Sequence, residues 1–446
     1  MKKLLTISAI LIVVLLVAYF LARPRIAYYY NNAGLHSFEK ADFDEALKQF
    51  SKAITWSSAF KEAYTNRAMV NIKLERFAMA VQDCEKAVSL DTNYAPAWFY
   101  MGVAFTSLND FTAAMECFEK AIALNYNLAI AYNYIGKLQL KRNEPAKAME
   151  YFNASLAIDS TYFDTYTSRA DVKVMLKDFS GALADYSKAL ALGAIRKEVL
   201  PLRARMCDTL QKYTEAAADY DEIISLGMND KNYFFRRGYA RFMTNNNTGV
   251  LSDMDSVLAK DTAFVEAYYY RANAHAQLKN FFRAIDDFTV YLKNKPKNTK
   301  ALYNRALALV NVNNLDAAVS DLLRINEMER SNYNAYNLLG IIEVRKNNIA
   351  GSIKYFNKAI DIRPTFYEPY FYRGMAKGIL ERHSEAIEDY NKAIHYNEKY
   401  REAYYNRGIS KINLNDFIGG CADFRKSDEL GFPPAKEMIN VYCLNN

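Results

Sequence analysis

"AYYNRGISKINLNDFIGGCADF", residues 403–424, is the stretch whose reading decides the fold. Two short amphipathic segments flank an Asn415-Asp416 break. Apolar residues spaced three and four apart on either side predict a helix, a tight turn and a second helix. Arg407 breaks the pattern. It stands beside Gly408 and among aromatics, on the face the two helices must pack. A guanidinium there requires either a ligand or a partner within the chain, because an unpaired buried charge is costly.

The same unit recurs every 34 residues from Ala27 to Pro434, without insertion. The twelve repeats are 27–60, 61–94, 95–128, 129–162, 163–196, 197–230, 231–264, 265–298, 299–332, 333–366, 367–400 and 401–434. Position 8 of the repeat is Gly or Ala in all twelve, from Gly34 to Gly408. Glycine inside a helix is unfavourable by up to about 1 kcal/mol relative to alanine, so close approach of a second helix is expected there. Position 20 supplies a facing Ala in nine repeats, with Val250, Ser352 and Gly420 as departures. Position 4 is aromatic in ten repeats, and position 24 is mostly Phe or Tyr, as in Phe50, Phe118, Tyr186 and Phe424. Their regular phase reads as core and not as a cofactor box. Position 16 is Asp42, Asp110, Asp178, Asn246, Asn280, Asn314, Asn348 or Asp416 in eight repeats, an N-cap signal for the second helix. Pro296 and Pro364 at position 32 end that helix. In repeat 7 "FMTNNNTGV" puts an Asn run at the turn, where a looser turn is expected without loss of phase.

Small at 8, Ala at 20, aromatic at 24 and Pro at 32 resemble the tetratricopeptide repeat family over residues 27–434. The resemblance implies an all-α solenoid of stacked helix pairs, A and B, forming a right-handed superhelix with helix A on the concave face. Residues 435–446, "AKEMINVYCLNN", have the helical spacing of a cap over the last repeat, which otherwise leaves an apolar flank open.

Position 7 answers the question Arg407 raises. It is Arg in eight repeats, and position 23 is Asp in the same eight: Arg67 and Asp83, Arg169 and Asp185, Arg203 and Asp219, Arg237 and Asp253, Arg271 and Asp287, Arg305 and Asp321, Arg373 and Asp389, Arg407 and Asp423. Where position 7 is Ala33, Met101, Ile135 or Leu339, position 23 is Gln49, Cys117, Tyr151 or Tyr355. Pairs that vary together indicate contact. Pairing each Asp with the next repeat's Arg leaves Asp83 opposite Met101 and Asp321 opposite Leu339, so the bridge is expected within a repeat. The rival reading, arginines holding an anionic ligand, has no use for the matched aspartates.

Residues 1–26 form a separate expected element. Lys2 and Lys3 precede an uncharged run from Leu4 to Ala22, followed by Arg23-Pro24-Arg25. Nineteen helical residues rise about 28 Å, close to a bilayer's hydrocarbon core. The flanks favour an uncleaved signal anchor. A cleaved signal peptide is the alternative, although Phe20 and Leu16 sit where small residues are wanted. The charges leave orientation open. A long domain behind a first, signal-like helix is expected to lie outside the cytoplasm.

The composition bounds the rest. Net charge is +7 without a basic block, which reads as solvated surface and not as nucleic-acid binding. The four histidines, His36, His275, His383 and His395, have no metal-ligand spacing, and no catalytic or cofactor motif is present. The expectation is a protein without enzymatic activity, cofactor or metal. Cys84 and Cys117 read as buried thiols, while Cys421 on the last helix B and Cys443 on the cap are within reach of each other; a disulfide there would suit an oxidising compartment, and the sequence leaves its formation open.

The family resemblance places positions 2, 5, 9, 12 and 13 of helix A along the groove. Position 5 then supplies the candidate partner contacts Phe99, Asn133, Phe235, Tyr269, Tyr303, Asn337, Phe371 and Tyr405. Aromatics there act either as anchors for a partner or as packing between neighbouring A helices. Position 2 is acidic at Glu62, Asp164, Glu198, Glu266, Glu368 and Glu402. An aromatic, acidic groove suits an extended peptide with basic and apolar side chains. No repeat has Lys at position 5, against capture of a C-terminal carboxylate. The function expected is a membrane-anchored scaffold for protein partners in a bacterial cell envelope; the alternative is a peptide-binding chaperone or adaptor. The oligomeric state stays open.

Overall fold

The computed structural model describes the backbone of residues 2–443 and the side chains of residues 7–443. Those residues form 25 helices and no strand. The chain divides into two compact units, Met1–Met228 and Asn229–Asn446. Within each, antiparallel helix hairpins stack in sequence order. Repeat 12 is typical, with helix A at Arg401–Asn413 and helix B at Phe417–Glu429.

The turn between A and B is the same in all twelve repeats. Position 15 is left-handed each time, with φ between 57° and 65° and never a glycine. At repeat 12 the Asn415 N–H donates to the Ile412 carbonyl and the Asp416 N–H to the Lys411 carbonyl, both at 2.9 Å. These two bonds satisfy carbonyls that the end of helix A would otherwise leave free. Six of the twelve residues are Asn, which tolerates this conformation best after glycine. Repeat 7 follows the same geometry at Asn245, so the looser turn expected there is absent. Its unusual core types, Val250, Met254 and Val257, are fully buried.

Asp416 caps helix B by accepting from the Gly419 N–H at 2.9 Å. Asp42, Asp110, Asp178, Asn246 and Asn348 do the same. Asn280 and Asn314 precede their helices without a side-chain cap, contrary to expectation. Their turns keep the same main-chain bonds as the capped repeats, from Asn280 to His275 and from Asn314 to Leu309.

The small residue at position 8 makes room chiefly for the ring at position 24. A Cβ on Gly34 would stand 2.6 Å from the Phe50 ring. On Gly408 it would stand 2.7 Å from Phe424 and 3.1 Å from the Gly420 carbonyl oxygen, so in repeat 12 the two backbones also approach closely.

The N-terminal apolar segment is continuous with repeat 1. One helix, Lys2–Glu39, runs through Pro24 and includes helix A of that repeat. Its large apolar side chains from Ile7 to Leu21 are exposed. Below them, Arg23 Nε donates to the Trp56 carbonyl at 2.9 Å, and the Tyr19 ring lies 6.1 Å from Trp56. At the other end the capping helix is Pro434–Tyr442, shorter than the segment expected, and residues 444–446 lie outside the described residues. Met438, Ile439 and Tyr442 pack against the cluster formed by Cys421, Phe424 and Cys443. A Cys421–Cys443 disulfide, with Cα atoms 5.7 Å apart, fastens the cap to helix B of repeat 12.

Candidate partner-binding groove

Arg407 Nε and Nη2 donate to the two carboxylate oxygens of Asp423 at 2.8 and 2.6 Å. The same two-pronged pairing joins Arg67 to Asp83, Arg169 to Asp185, Arg203 to Asp219, Arg271 to Asp287, Arg305 to Asp321 and Arg373 to Asp389. Arg237 places both nitrogens on one oxygen of Asp253, and Arg241 takes the other at 2.9 Å. The aspartates are buried and the arginines partly so: side-chain exposure is 5% at Asp423 and 17% at Arg407, and reaches 26% at Arg67. A planar guanidinium fits this task because its fork matches a carboxylate.

Two further contacts complete the arrangement. Except at Arg203 and Arg305, where position 4 is Leu200 and Leu302, the ring at position 4, about one helical turn back, covers the guanidinium, with Tyr404 centred 5.3 Å from Arg407 and Tyr268 5.5 Å from Arg271. The third nitrogen, Nη1, reaches back to helix B of the preceding repeat. It donates to Ser51 from Arg67, Asn153 from Arg169, Asp255 from Arg271, Thr289 from Arg305, Asn357 from Arg373 and Asn391 from Arg407. Each acceptor is position 25. One arginine therefore ties its own hairpin together and ties that hairpin to its neighbour. The signal was present in the sequence: position 25 before every arginine repeat is Ser, Thr, Asn or Asp, whereas Glu85, Glu119 and Leu323 precede Met101, Ile135 and Leu339.

Neighbouring A helices touch one another within each unit, as between repeats 2 and 3, 4 and 5, or 10 and 11. Position 5 lies in that contact. Phe99 is buried, 5.7 Å from Phe118 and 5.8 Å from Tyr126, and Phe371 is buried 4.8 Å from Tyr400. Asn133 and Asn337 are buried and donate to the position 2 acid of the next repeat, Asp164 at 2.7 Å and Glu368 at 3.3 Å. These four side chains are spent on internal packing and do not stand free as anchors. Phe235, Tyr269, Tyr303 and Tyr405 are partly buried and keep some surface on the A-helix face. Tyr239 and Tyr372 join them there, at positions 9 and 6.

Burial pushes the Tyr270 hydroxyl up to about 12 and raises Tyr303 and Tyr372, so these groups stay protonated. Burial also pushes the Cys207 thiol up to about 11 and Cys117 up to about 12, the reverse of what a thiolate nucleophile needs.

Tetratricopeptide repeat signatures match residues 61–94, 95–125 and 303–365. No curated protein matches the chain. Among solved structures, a tetratricopeptide repeat protein from Parabacteroides merdae is 20% identical over 55% of this chain and 98% of its own, with a TM-score of 0.46. Pseudomonas aeruginosa pilF is 19% identical over 48% and 96%, with a TM-score of 0.44. The Cut9 and Hcn1 hetero-tetramer of the APC/C is 13% identical over 95% and 99%, with a TM-score of 0.43. Repeated small, aromatic and capping positions, twelve hairpins in constant phase and three matched segments lead to one conclusion: the chain is built of tetratricopeptide repeats, an architecture that in general serves protein–protein interaction.

Proposed function

We propose that the protein is a membrane-anchored scaffold that gathers protein partners along its A-helix face, with the repeats on the outer side of a bacterial cytoplasmic membrane. The observation that carries the reading is the single helix Lys2–Glu39, whose exposed apolar half continues without a linker into helix A of repeat 1. Inserted in a bilayer, this helix hides its apolar surface and fixes repeat 1 close to the membrane, with Tyr19, Trp56 and Arg23 at the boundary where such residues are favoured. The Cys421–Cys443 disulfide supports an oxidising compartment. The partly exposed tyrosines and position 2 acids support a polypeptide partner, since tyrosine gives large contact area at low entropic cost.

The test is made on membranes. The protein is expected to resist carbonate extraction, a C-terminal reporter active only in the cytoplasm is expected to be silent, and chemical crosslinking is expected to give one complex of fixed stoichiometry. Carbonate release or an active reporter contradicts the anchored, outward reading. A spread of weakly held clients contradicts the scaffold and favours a chaperone that uses the same face.

A further inference from the structure

Two places on the A-helix face share one device, and only one of them is complete. In repeats 4 and 5 the buried Asn133 donates through Nδ2 to Asp164 Oδ2 at 2.7 Å. Lys137, one turn further along the same helix, places Nζ on that oxygen at 2.5 Å. The carboxylate is thus held by a neutral donor and neutralised by an ammonium. In repeats 10 and 11 the buried Asn337 donates in the same way to Glu368 at 3.3 Å. Position 9, Lys137 in the first case, is Ile341 in the second. Among the described residues no cation pairs with Glu368. Arg345, on the same face, donates to the Val310 carbonyl at 3.0 Å.

Glu368 therefore carries a partly buried charge that the chain leaves without a counter-ion. Burial alone raises its carboxyl above the ordinary value, and its charge acts on the hydroxyls of Tyr303, Tyr372 and Tyr400. Partly desolvated carboxylates gain most from a cation brought in with its own hydrogen-bond donors, and tyrosines close enough to feel this carboxylate offer rings to such a cation. Ile341, packed against the neighbouring core, puts an apolar side chain where repeat 4 has the ammonium of Lys137.

We propose that Glu368, held by Asn337, is the subsite for a lysine or arginine side chain of an extended polypeptide partner, which supplies the cation that Lys137 supplies internally to Asp164. This rests on the A-helix face being the partner surface. It adds the chemistry of one contact and its place in the repeat array.

The full-length protein in detergent is screened against immobilised dodecapeptides with a fixed central lysine and random flanks. The best binder is then remade with norleucine in place of that lysine, and both forms are titrated against wild type, Glu368→Gln and Ile341→Lys. Wild type is expected to prefer the lysine form by about tenfold or more. Both variants are expected to bind the two forms alike, because Ile341→Lys fills the subsite from within and Glu368→Gln removes its charge; Glu368→Gln is expected to melt close to wild type and Ile341→Lys somewhat below it, since Ile341 packs against the core. Equal binding of the two forms by wild type, or a lysine preference that survives in either variant, overturns the subsite and leaves the partner face standing. Failure of every peptide to bind overturns the partner face, and the subsite with it.

Discussion

The arginine at position 7 looks misplaced until its three directions of contact are counted. It grips the aspartate of its own helix B, lies under the ring at position 4, and touches helix B of the previous repeat. Such a network adds little net stability over hydrocarbon of similar volume, but it makes the geometry strict, because loss of one member strands a charge. Asp287→Ala is expected to cost about 3–5 kcal/mol in denaturant unfolding, whereas Arg271→Leu with Asp287→Leu is expected to cost far less. An unchanged unfolding curve for the single variant would show that the pair carries no structural strain when broken. The bridge itself was legible in the sequence, because eight repeats carry both partners and four carry neither. The backward contact to position 25 was not read, although its residues follow the same rule. Its acceptors are of four kinds, Ser, Thr, Asn and Asp, so the pattern emerges only once the geometry names the position.

At the level of the element, the hairpin depends on a left-handed residue that composition barely announces. Half of the position 15 residues are Asn, but Ala41, Glu75, Lys177, Gln211, Lys279 and Glu381 adopt the same conformation. An L residue with a longer side chain gives up roughly 1–2 kcal/mol there, and glycine avoids this at some cost in unfolded-state entropy. Lys279→Gly is accordingly expected to stabilise the protein by about 1 kcal/mol, read as a higher denaturant midpoint at unchanged slope. A loss of stability would mean that the Lys279 side chain does more than tolerate the turn. Helix boundaries, the turn positions and most N-caps were readable because each rests on local chemistry. The continuity of Lys2–Glu39 was not, since Pro24 in a helix interior reads as a break. Here its place between an exposed apolar run and a packed repeat is consistent with an unbroken rod.

Across the molecule, a 34-residue period repeated twelve times specifies the architecture far more firmly than any single motif. Each hairpin buries its flank only against neighbours, so constant phase is itself the folding instruction. The partner surface was less legible. Position 5 looked like a row of anchors, but Phe99, Asn133, Asn337 and Phe371 are enclosed between adjacent A helices. Burial there depends on how closely the next repeat approaches, which no single repeat encodes. What remains on the face are the partly exposed Tyr239, Tyr269, Tyr303, Tyr372 and Tyr405, with the acids beside them. The direct test places a photo-crosslinking residue in turn at Tyr239, Tyr303 and Tyr372 on the A helices and at Glu119, Lys260 and Ile418 on exposed B-helix surface, in cells expressing the full chain. The scaffold account predicts one common adduct from the A-helix sites and none from the B-helix sites. The same adduct from both faces, or adducts from the B-helix sites alone, would contradict it.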